Sequence, residues 1–288
     1  MKTLSILIVN WNTRDLLLAC LDSLREFPAT VPSETIVVDN ASGDGSAEMV
    51  RILFPEVTLI ESGRNAGYAA GNNLAFGAAS GEFLLTLNPD TEVRADTLDA
   101  ALDALRRHPA SGALGVRQIG NDGKVQSSVR GFPSLLGILG DVTGLARRHP
   151  DSVWDSYRRT GFDYGREGPA PQPMGTFLLL RREALPDPHH PFDERFPIFF
   201  NEVDLLRRMA DVVWPAIYTP RAEIRHHGGE STRQVRPLAI WESHRSLVRY
   251  LRKHQSPLKN LLTLPWLAPL LYASALVRAR GYRAAFRP

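Results

Sequence analysis

A single cysteine, Cys20, stands in the whole 288-residue chain. With no partner it allows no disulfide framework within the chain and no Cys-rich zinc site, which fits a reducing compartment. No internal repeat or low-complexity tract is present. No G-x-G-x-x-G follows the first apolar run, which disfavours a NAD-dependent enzyme. The N-terminal "MKTLSILIVNWN" lacks a small-residue cleavage site, so it reads as a first strand and no signal peptide is expected. What remains is ordinary for a globular chain, 43% apolar and 23% charged. The length suits one large domain, or one domain with an appendage.

Net charge is small, +3, but unevenly spread. From Arg221 onward there are 13 basic and 3 acidic residues, net +10, which leaves −7 for the first 220. Such a tail suits something anionic, a membrane surface or a nucleic acid, unless it is simply a solvated basic face.

Through the first 120 residues short apolar runs alternate with amphipathic stretches. "LSILIV" (4–9), "TIVVD" (35–39), "VTLIE" (57–61) and "FLLTL" (83–87) read as strands buried on both faces. Between them Leu17, Cys20, Leu21 and Leu24 form one helical stripe, ended by Pro28. Met49, Ile52 and Leu53 form a second, ended by Pro55; Leu98, Ala101, Leu102 and Leu105 form a third before Pro109. The alternation predicts an α/β fold with a mainly parallel, doubly wound sheet. From residue 121 the pattern loosens. Asn121-Asp122-Gly123-Lys124 reads as a hairpin turn, 132–172 as a variable region with a short helix or two, 174–182 as a strand, and 201–209 as the start of a helix. "VVWPAIYTP" and "AEIRHHGG" read as further extended segments.

In doubly wound sheets ligands bind beyond the carboxyl ends of the strands, and here those ends are polar. The first ends in Asn10, Trp11 and Asn12, the second runs from Asp39 to Ser46, and the fourth ends in Asn88, Pro89 and Asp90. The glycine-rich "NAGYAAGNN" (65–73) follows the third. Any one of these is ordinary turn chemistry; four along one predicted edge mark a site. Pro89 fixes its own φ and pushes Asn88 into extended backbone, so Asn88 and Asp90, two apart, point the same way. Two oxygen donors so placed suit Mg²⁺ or Mn²⁺, which keep waters and complete their shell with phosphate oxygens.

In order, "VNWN", "VVDNASGDGS", "NAGYAAGNN", "LNPD", "FDERFPIFFNEVDLLRR" and "HHGGES" resemble the family 2 inverting glycosyltransferases of GT-A fold, and among them the rhamnosyltransferase-like branch. The resemblance covers roughly residues 3–232. It implies a nucleotide-diphospho-sugar transferase domain at 1–235, with a nucleotide-binding half (1–120) and an acceptor half (121–235), then a C-terminal helical extension (236–288). The implied reaction moves a sugar with inversion from a nucleotide diphosphate to an acceptor hydroxyl of a glycan, lipid-linked, in cell-wall polysaccharide biosynthesis. The branch favours dTDP-rhamnose as donor; UDP-glucose or UDP-galactose stays open.

By the same resemblance Asp39 matches the carboxylate that binds the nucleotide base, with the backbone of Val9 and Asn10 beside it. Asn12, Asp44, Asn65, Gly71 and Asn88 fall on the nucleotide side. Asn88-Pro89-Asp90 matches the Asp-x-Asp metal motif, with Asp90 as the ligand and an asparagine in place of the first acid. Asn201-Glu202 stands where the family has a Glu-Asp pair, making Glu202 the candidate base for the acceptor proton and Asp204 the runner-up. Both fall in the first turn of the predicted helix, where the dipole favours anions, and partial burial is expected to raise the pKa of Glu202. His226 matches the His-x-Gly-Gly pattern as a further metal or diphosphate ligand, with His227 as the alternative; Gly228 and Gly229 would let backbone approach phosphate.

Two other classes compete. A nucleotidyltransferase should show a Gly-rich Arg/Lys signature after the first strand, where this chain has "NWNTRD". A non-catalytic sugar-nucleotide or glycan binding protein would tolerate loss of the base.

The tail has about 17 mainly apolar residues from Leu261 to Val277, interrupted by Pro265 and Pro269 and followed by Arg278, Arg280, Arg283 and Arg287. That is short for a span. An interfacial helix pair on an anionic leaflet, at the cytoplasmic face of the cell membrane, is expected of 256–288, with Trp266 and Tyr272 at the boundary. Nucleic acid is not an expected partner. Packing on the catalytic domain or on a second subunit is the alternative.

Overall fold

The computed structural model describes residues 2–228, 234–284 and 286. The first half alternates β1 (Leu4–Asn10), α1 (Arg14–Glu26), β2 (Ser33–Asp39), α2 (Ser46–Leu53), β3 (Thr58–Glu61), α3 (Gly67–Ala78), β4 (Phe83–Leu87), β5 (Thr91–Val93), α4 (Thr97–Arg107) and β6 (Ala113–Ile119). The second half holds β7 (Val129–Arg130), α5 (Leu135–Thr143), α6 (Leu145–Arg148), β8 (Gly168–Pro169), β9 (Gln172–Pro173), β10 (Phe177–Arg181), α7 (Asn201–Asp211) and β11 (Ala216–His226). Two long helices follow, α8 (Arg236–His254) and α9 (Pro257–Arg278).

The main sheet runs β3-β2-β1-β4-β10-β6-β11-β5, with β8 paired to β11. β1 pairs in parallel with both β2 and β4, and β2 with β3, as short apolar strands joined by helices require. β10 lies antiparallel between β4 and β6, while β11 is parallel to β6 and antiparallel to β5. The sheet is therefore mixed in its second half. Alternation along β1 divides the core: Ile6 and Ile8 pack with Leu17, Met49 and Leu98 on one face, Leu7 and Val9 with Phe76, Leu205 and Met209 on the other.

Four details differ from the sequence reading. In α2, Met49 is buried but Ile52 and Leu53 are 63% and 47% exposed; Val50 takes their place, because α2 covers only the sheet's edge. The glycine-rich 65–73 segment contributes most of a helix: small residues let α3 lie against β1, where a methyl on Gly71 would sit 2.7 Å from Val9 Cγ1. The two extended segments before residue 227 form one strand, β11, whose register to β6 slips between Thr219 and Glu223. Pro220, with no N–H to donate, lies in that slip. Finally, Pro265 and Pro269 do not divide the tail, for α9 runs through both. Each proline removes one backbone hydrogen bond; packing of Leu264, Leu267, Ala268 and Leu271 with Val248, Tyr250 and Leu251 of α8 carries the helix past them. Ile138, Phe196 and Val203 belong to the same cluster, so the extension shares buried surface with the first 235 residues.

Candidate active site

The carboxyl ends of β1, β2 and β4 coincide, since Asn10 pairs with Asp39 and Ile8 with Leu87. Side chains lash the first two ends together. Asn10, fully buried, donates from Nδ2 to Asp39 Oδ1 (3.0 Å) and Ser42 Oγ (3.1 Å) and accepts from Thr13 Oγ1 (2.6 Å). Asp39 Oδ2 accepts from the Ser42 amide (2.9 Å). Asn12, at φ 53°, accepts from the Gly43 amide (2.8 Å). Asp44 accepts the Arg14 amide (2.9 Å) and the Ser46 amide (3.0 Å), tying the starts of α1 and α2 together. Burial alone would raise the pKa of Asp44, but the Ser46 hydroxyl and these amides outweigh it and hold the carboxyl below its usual range.

These side chains are bonded to one another and to backbone amides along the edge rather than standing open. Asn65 accepts the Gly67 amide (3.0 Å) at the start of α3. Gly71 lies in the helix–strand seam, where an added methyl would meet Val9 and Asn40 Nδ2, so its absence of a side chain allows close packing there.

The Asn-Pro-Asp segment meets three other elements. The Asn88 amide donates to Thr176 O (2.9 Å) just before β10. Behind it Cys20 is fully buried, its thiol pKa pushed up by burial and then by the charges of Asp90 and Glu92, so it stays a neutral packing residue. In front, β5 pairs with β11, setting His226 opposite Thr91. That register puts His226 Nε2 3.6 Å from Asp90 Oδ2, with both residues buried. His227 points elsewhere: its ring bonds to Glu92, although its amide donates to Asp90 O (3.0 Å). Of the two histidines, then, His226 accompanies Asp90. Gly228 adopts φ 90°, and Gly229 lies outside the described residues.

Glu202 opens α7 behind Phe200, whose φ of 67° turns the chain into the helix, and Asn201 Oδ1 accepts the Glu202 amide (2.7 Å). The Glu202 side chain lies against Gly175, where an added methyl would come within 3.4 Å of its Cγ. Burial raises its pKa above the ordinary carboxylate range, and the amides of Glu202 and Val203 oppose this only in part.

Tyr68, from α3, joins the two carboxylates. Its hydroxyl donates to Gly175 O (3.3 Å), and its pKa is pushed up first by burial, then by the charges of Glu202 and Asp90. One phenol therefore feels both acids. Thr176, which anchors Asn88, is the neighbour of Gly175, which faces Glu202. The strand-end and helix-start acids, distant in sequence, both lie near Tyr68.

Asp204 does not join them. Residues two apart on a helix point in nearly opposite directions, and Asp204 is fully buried on the far side. Arg208 Nε (2.9 Å), Lys253 Nζ (2.7 Å) and His254 Nε2 (2.7 Å) surround it. Burial raises its pKa, but the bonds from His254 and Lys253, with the charge of Arg208, outweigh this and lower it. The runner-up base is a structural anion that ties α7 to α8.

Three contributors to the site were not foreseen. Tyr68 and Gly175 lie in short motifs without obvious chemistry. Gln126, whose Oε1 is 2.7 Å from His226 Nδ1, follows a hairpin turn and carries no sequence signal at all. A cavity of about 670 Å³ lined by residues of the 151–169 segment contains none of these side chains. Its acids are occupied locally, Asp155 by the Thr160 amide and hydroxyl and Glu167 by Thr219, Arg107 and His108.

Residues 5–187 match the model for Glycosyl transferase family 2. The chain belongs to that family. It is also 31% identical over 286 residues, covering 91% of this chain and 90% of the relative, to the Mycobacterium tuberculosis N-acetylglucosaminyl-diphospho-decaprenol L-rhamnosyltransferase. Among solved structures, a mannosyltransferase, PcManGT from Pyrobaculum calidifontis in complex with GDP-Man and Mn²⁺, aligns over 99% of this chain and 76% of its own. Its TM-score is 0.58 at 19% identity. S. aureus TarS 1–349 aligns over 96% and 80%, with a TM-score of 0.56 at 18% identity. These two similarities concern the fold, which is the GT-A arrangement: a mostly parallel central sheet with helices, followed here by C-terminal helices.

A divalent cation fits the residues present. Among the described residues no cluster of three or more His, Cys, Asp or Glu could hold a metal. Asp90 and His226 would supply two ligands, leaving the rest to diphosphate oxygens and water, as Mg²⁺ and Mn²⁺ accept.

Proposed function

We propose that this glycosyltransferase moves L-rhamnose from dTDP-rhamnose, with inversion, onto a hydroxyl of a lipid-linked glycan. The observation that carries the reading is that Tyr68, bonded to Gly175 beside Glu202, lies within the field of both Glu202 and Asp90. The edge formed by Asn10, Asn12, Asp39 and Asp44 receives the nucleotide, with Asn65 and Asn88 shaping its rim. Asp90 and His226 hold Mg²⁺ or Mn²⁺, whose charge would offset that developing on the departing diphosphate. Glu202 is the base: burial raises its pKa above the ordinary carboxylate range, which makes it a stronger acceptor for the proton of the acceptor hydroxyl. Donor and acceptor follow the mycobacterial relative, whose name specifies a rhamnosyl transfer and a decaprenol-linked substrate.

The division at residue 235 belongs to this proposal, with the extension as the part that meets the membrane. α9 is long and apolar enough to span a bilayer by length and composition, but one of its faces is packed on α8. Its other face exposes Leu258, Leu262, Trp266 and Leu270, with Lys259, Arg278 and Arg280 near the ends. That arrangement suits lying on an anionic inner leaflet, where a lipid-linked acceptor is reached. A second copy covering the same face is the competing occupant.

The test is release of nucleoside diphosphate from the purified protein, given a lipid-diphospho-N-acetylglucosamine acceptor and a panel of donors. Turnover with dTDP-rhamnose supports the proposal. Turnover confined to UDP-hexoses replaces the donor and leaves the rest standing, and no transfer or hydrolysis of any donor returns the protein to a binding role.

A further inference from the structure

We propose that Gln126 is the positioning residue for His226, holding its ring in the Nδ1–H tautomer so that Nε2 is presented beside Asp90. The inference rests on the reading above that Asp90 and His226 hold a cation.

Gln126 stands just beyond the Asn121–Lys124 turn, where its amide donates to Gln118 O (2.9 Å). Its side chain grips His226 twice: Nε2 donates to the His226 carbonyl (3.2 Å), and Oε1 lies 2.7 Å from His226 Nδ1. The two ends of an amide look alike, but here the backbone settles which is which. A carbonyl oxygen only accepts, so the NH₂ end must face it, and Oε1 is left for the ring. Oε1 also only accepts, so Nδ1 must carry a proton. A neutral ring protonated at Nδ1 has its lone pair on Nε2, the nitrogen 3.6 Å from Asp90 Oδ2.

The seat is tight, since a methyl on Gly120 would lie 3.0 Å from Gln126 Nε2. The ring is thus held on one side from the hairpin after β6, closed by the Ile119–Val125 bridge, and on the other by the His226–Thr91 register. Partners of this kind, donating to or accepting from the remote nitrogen of a ligating imidazole, govern both tautomer and affinity.

The test uses the full chain and Mn²⁺ alone as probe. Binding is followed by loss of the free-ion electron paramagnetic resonance signal, and the tautomer by imidazole ¹⁵N shifts in metal-free protein, assigned with His226→Gln. Gln126→Leu should weaken Mn²⁺ binding by about 10–100-fold and release His226 from the Nδ1–H form. Gln126→Glu keeps an acceptor at Nδ1 while losing the donor to the carbonyl, and should hold both the tautomer and an affinity within about threefold of wild type. Circular dichroism establishes that each variant is folded.

Wild-type Mn²⁺ affinity in Gln126→Leu, while Asp90→Ala abolishes binding, overturns the role of Gln126 and spares the cation site. Equal losses in Gln126→Glu and Gln126→Leu reduce the residue to a structural one and overturn it too. Wild-type protein that takes up no Mn²⁺ removes the cation reading itself, and this inference with it.

Discussion

Replacing Glu202 by glutamine removes a proton acceptor and alters almost nothing else. The side chain is half-buried against Gly175, and an amide of the same shape fills that space. General-base catalysis contributes about 10²–10⁴-fold, or about 3–5 kcal/mol at roughly 1.4 kcal/mol per decade. Turnover of Glu202→Gln should fall by that factor, with donor KM nearly unchanged because the nucleotide edge is untouched.

Stability should move the other way. Burial raises the Glu202 pKa above its ordinary 4.5, so the folded chain binds this proton more tightly than the unfolded chain does. The favourable contribution is complete below the unfolded value and is lost as pH rises through the folded one. The glutamine variant has no such loss, and its Tm at neutral pH should equal or exceed that of wild type. In wild type the acidic limb of kcat/KM should lie above the ordinary carboxylate range, and the variant should lack it. Nucleoside diphosphate release across pH, with thermal unfolding on the same samples, checks both. Turnover within about fivefold of wild type, far short of a lost general base, would refute the reasoning, and so would a matching fall in Tm.

Asp204→Asn strands Arg208, Lys253 and His254 around a neutral side chain and should cost about 3–5 kcal/mol in urea unfolding. Because the Asp204 pKa is depressed, the stability it contributes is present above the ordinary 3.8 and lost as pH falls through the folded value; acid unfolding of the variant should show a shallower transition. Gly71→Ala, whose methyl meets Val9 Cγ1 at 2.7 Å, should lower stability by about 1–3 kcal/mol without changing metal dependence. Exhaustive EDTA treatment should abolish transfer and added Mn²⁺ restore it; full activity after chelation would remove the cation. Leu262→Glu with Leu270→Glu, both exposed, should abolish flotation with anionic liposomes while preserving Tm. Substitution is cleaner than truncation here, since Leu264 and Leu267 are buried and removing α9 would open the core.

Much of the frame was legible before any coordinates. Runs such as Leu4–Val9 and Phe83–Leu87 are apolar at all positions but Ser5 and Thr86, and burial on both faces explains that. The stripes Leu17–Leu24 and Leu98–Leu105 likewise face the core. Pro89 announces that a buried strand stops and its next polar residues emerge at the edge. Segments whose stability comes from close approach were less legible. α3 is rich in glycine and asparagine, poor helix formers, and becomes a helix because only small residues let it touch β1.

Residue types and their local order thus pointed to the sheet and its polar edge, and the family resemblance to Asp90, Glu202 and His226 as the chemistry-bearing candidates. Tertiary packing alone separated roles that looked equivalent. Glu202 and Asp204 share one helical turn in sequence, yet the rotation of α7 sends one to Gly175 and the other to Lys253 and His254. His226 and His227 are neighbours, yet alternation along an extended chain gives one to Asp90 and the other to Glu92. Gln126 matters only because a hairpin folds it onto the back of His226. Direction in space is a property of the packed chain, and local composition does not encode it.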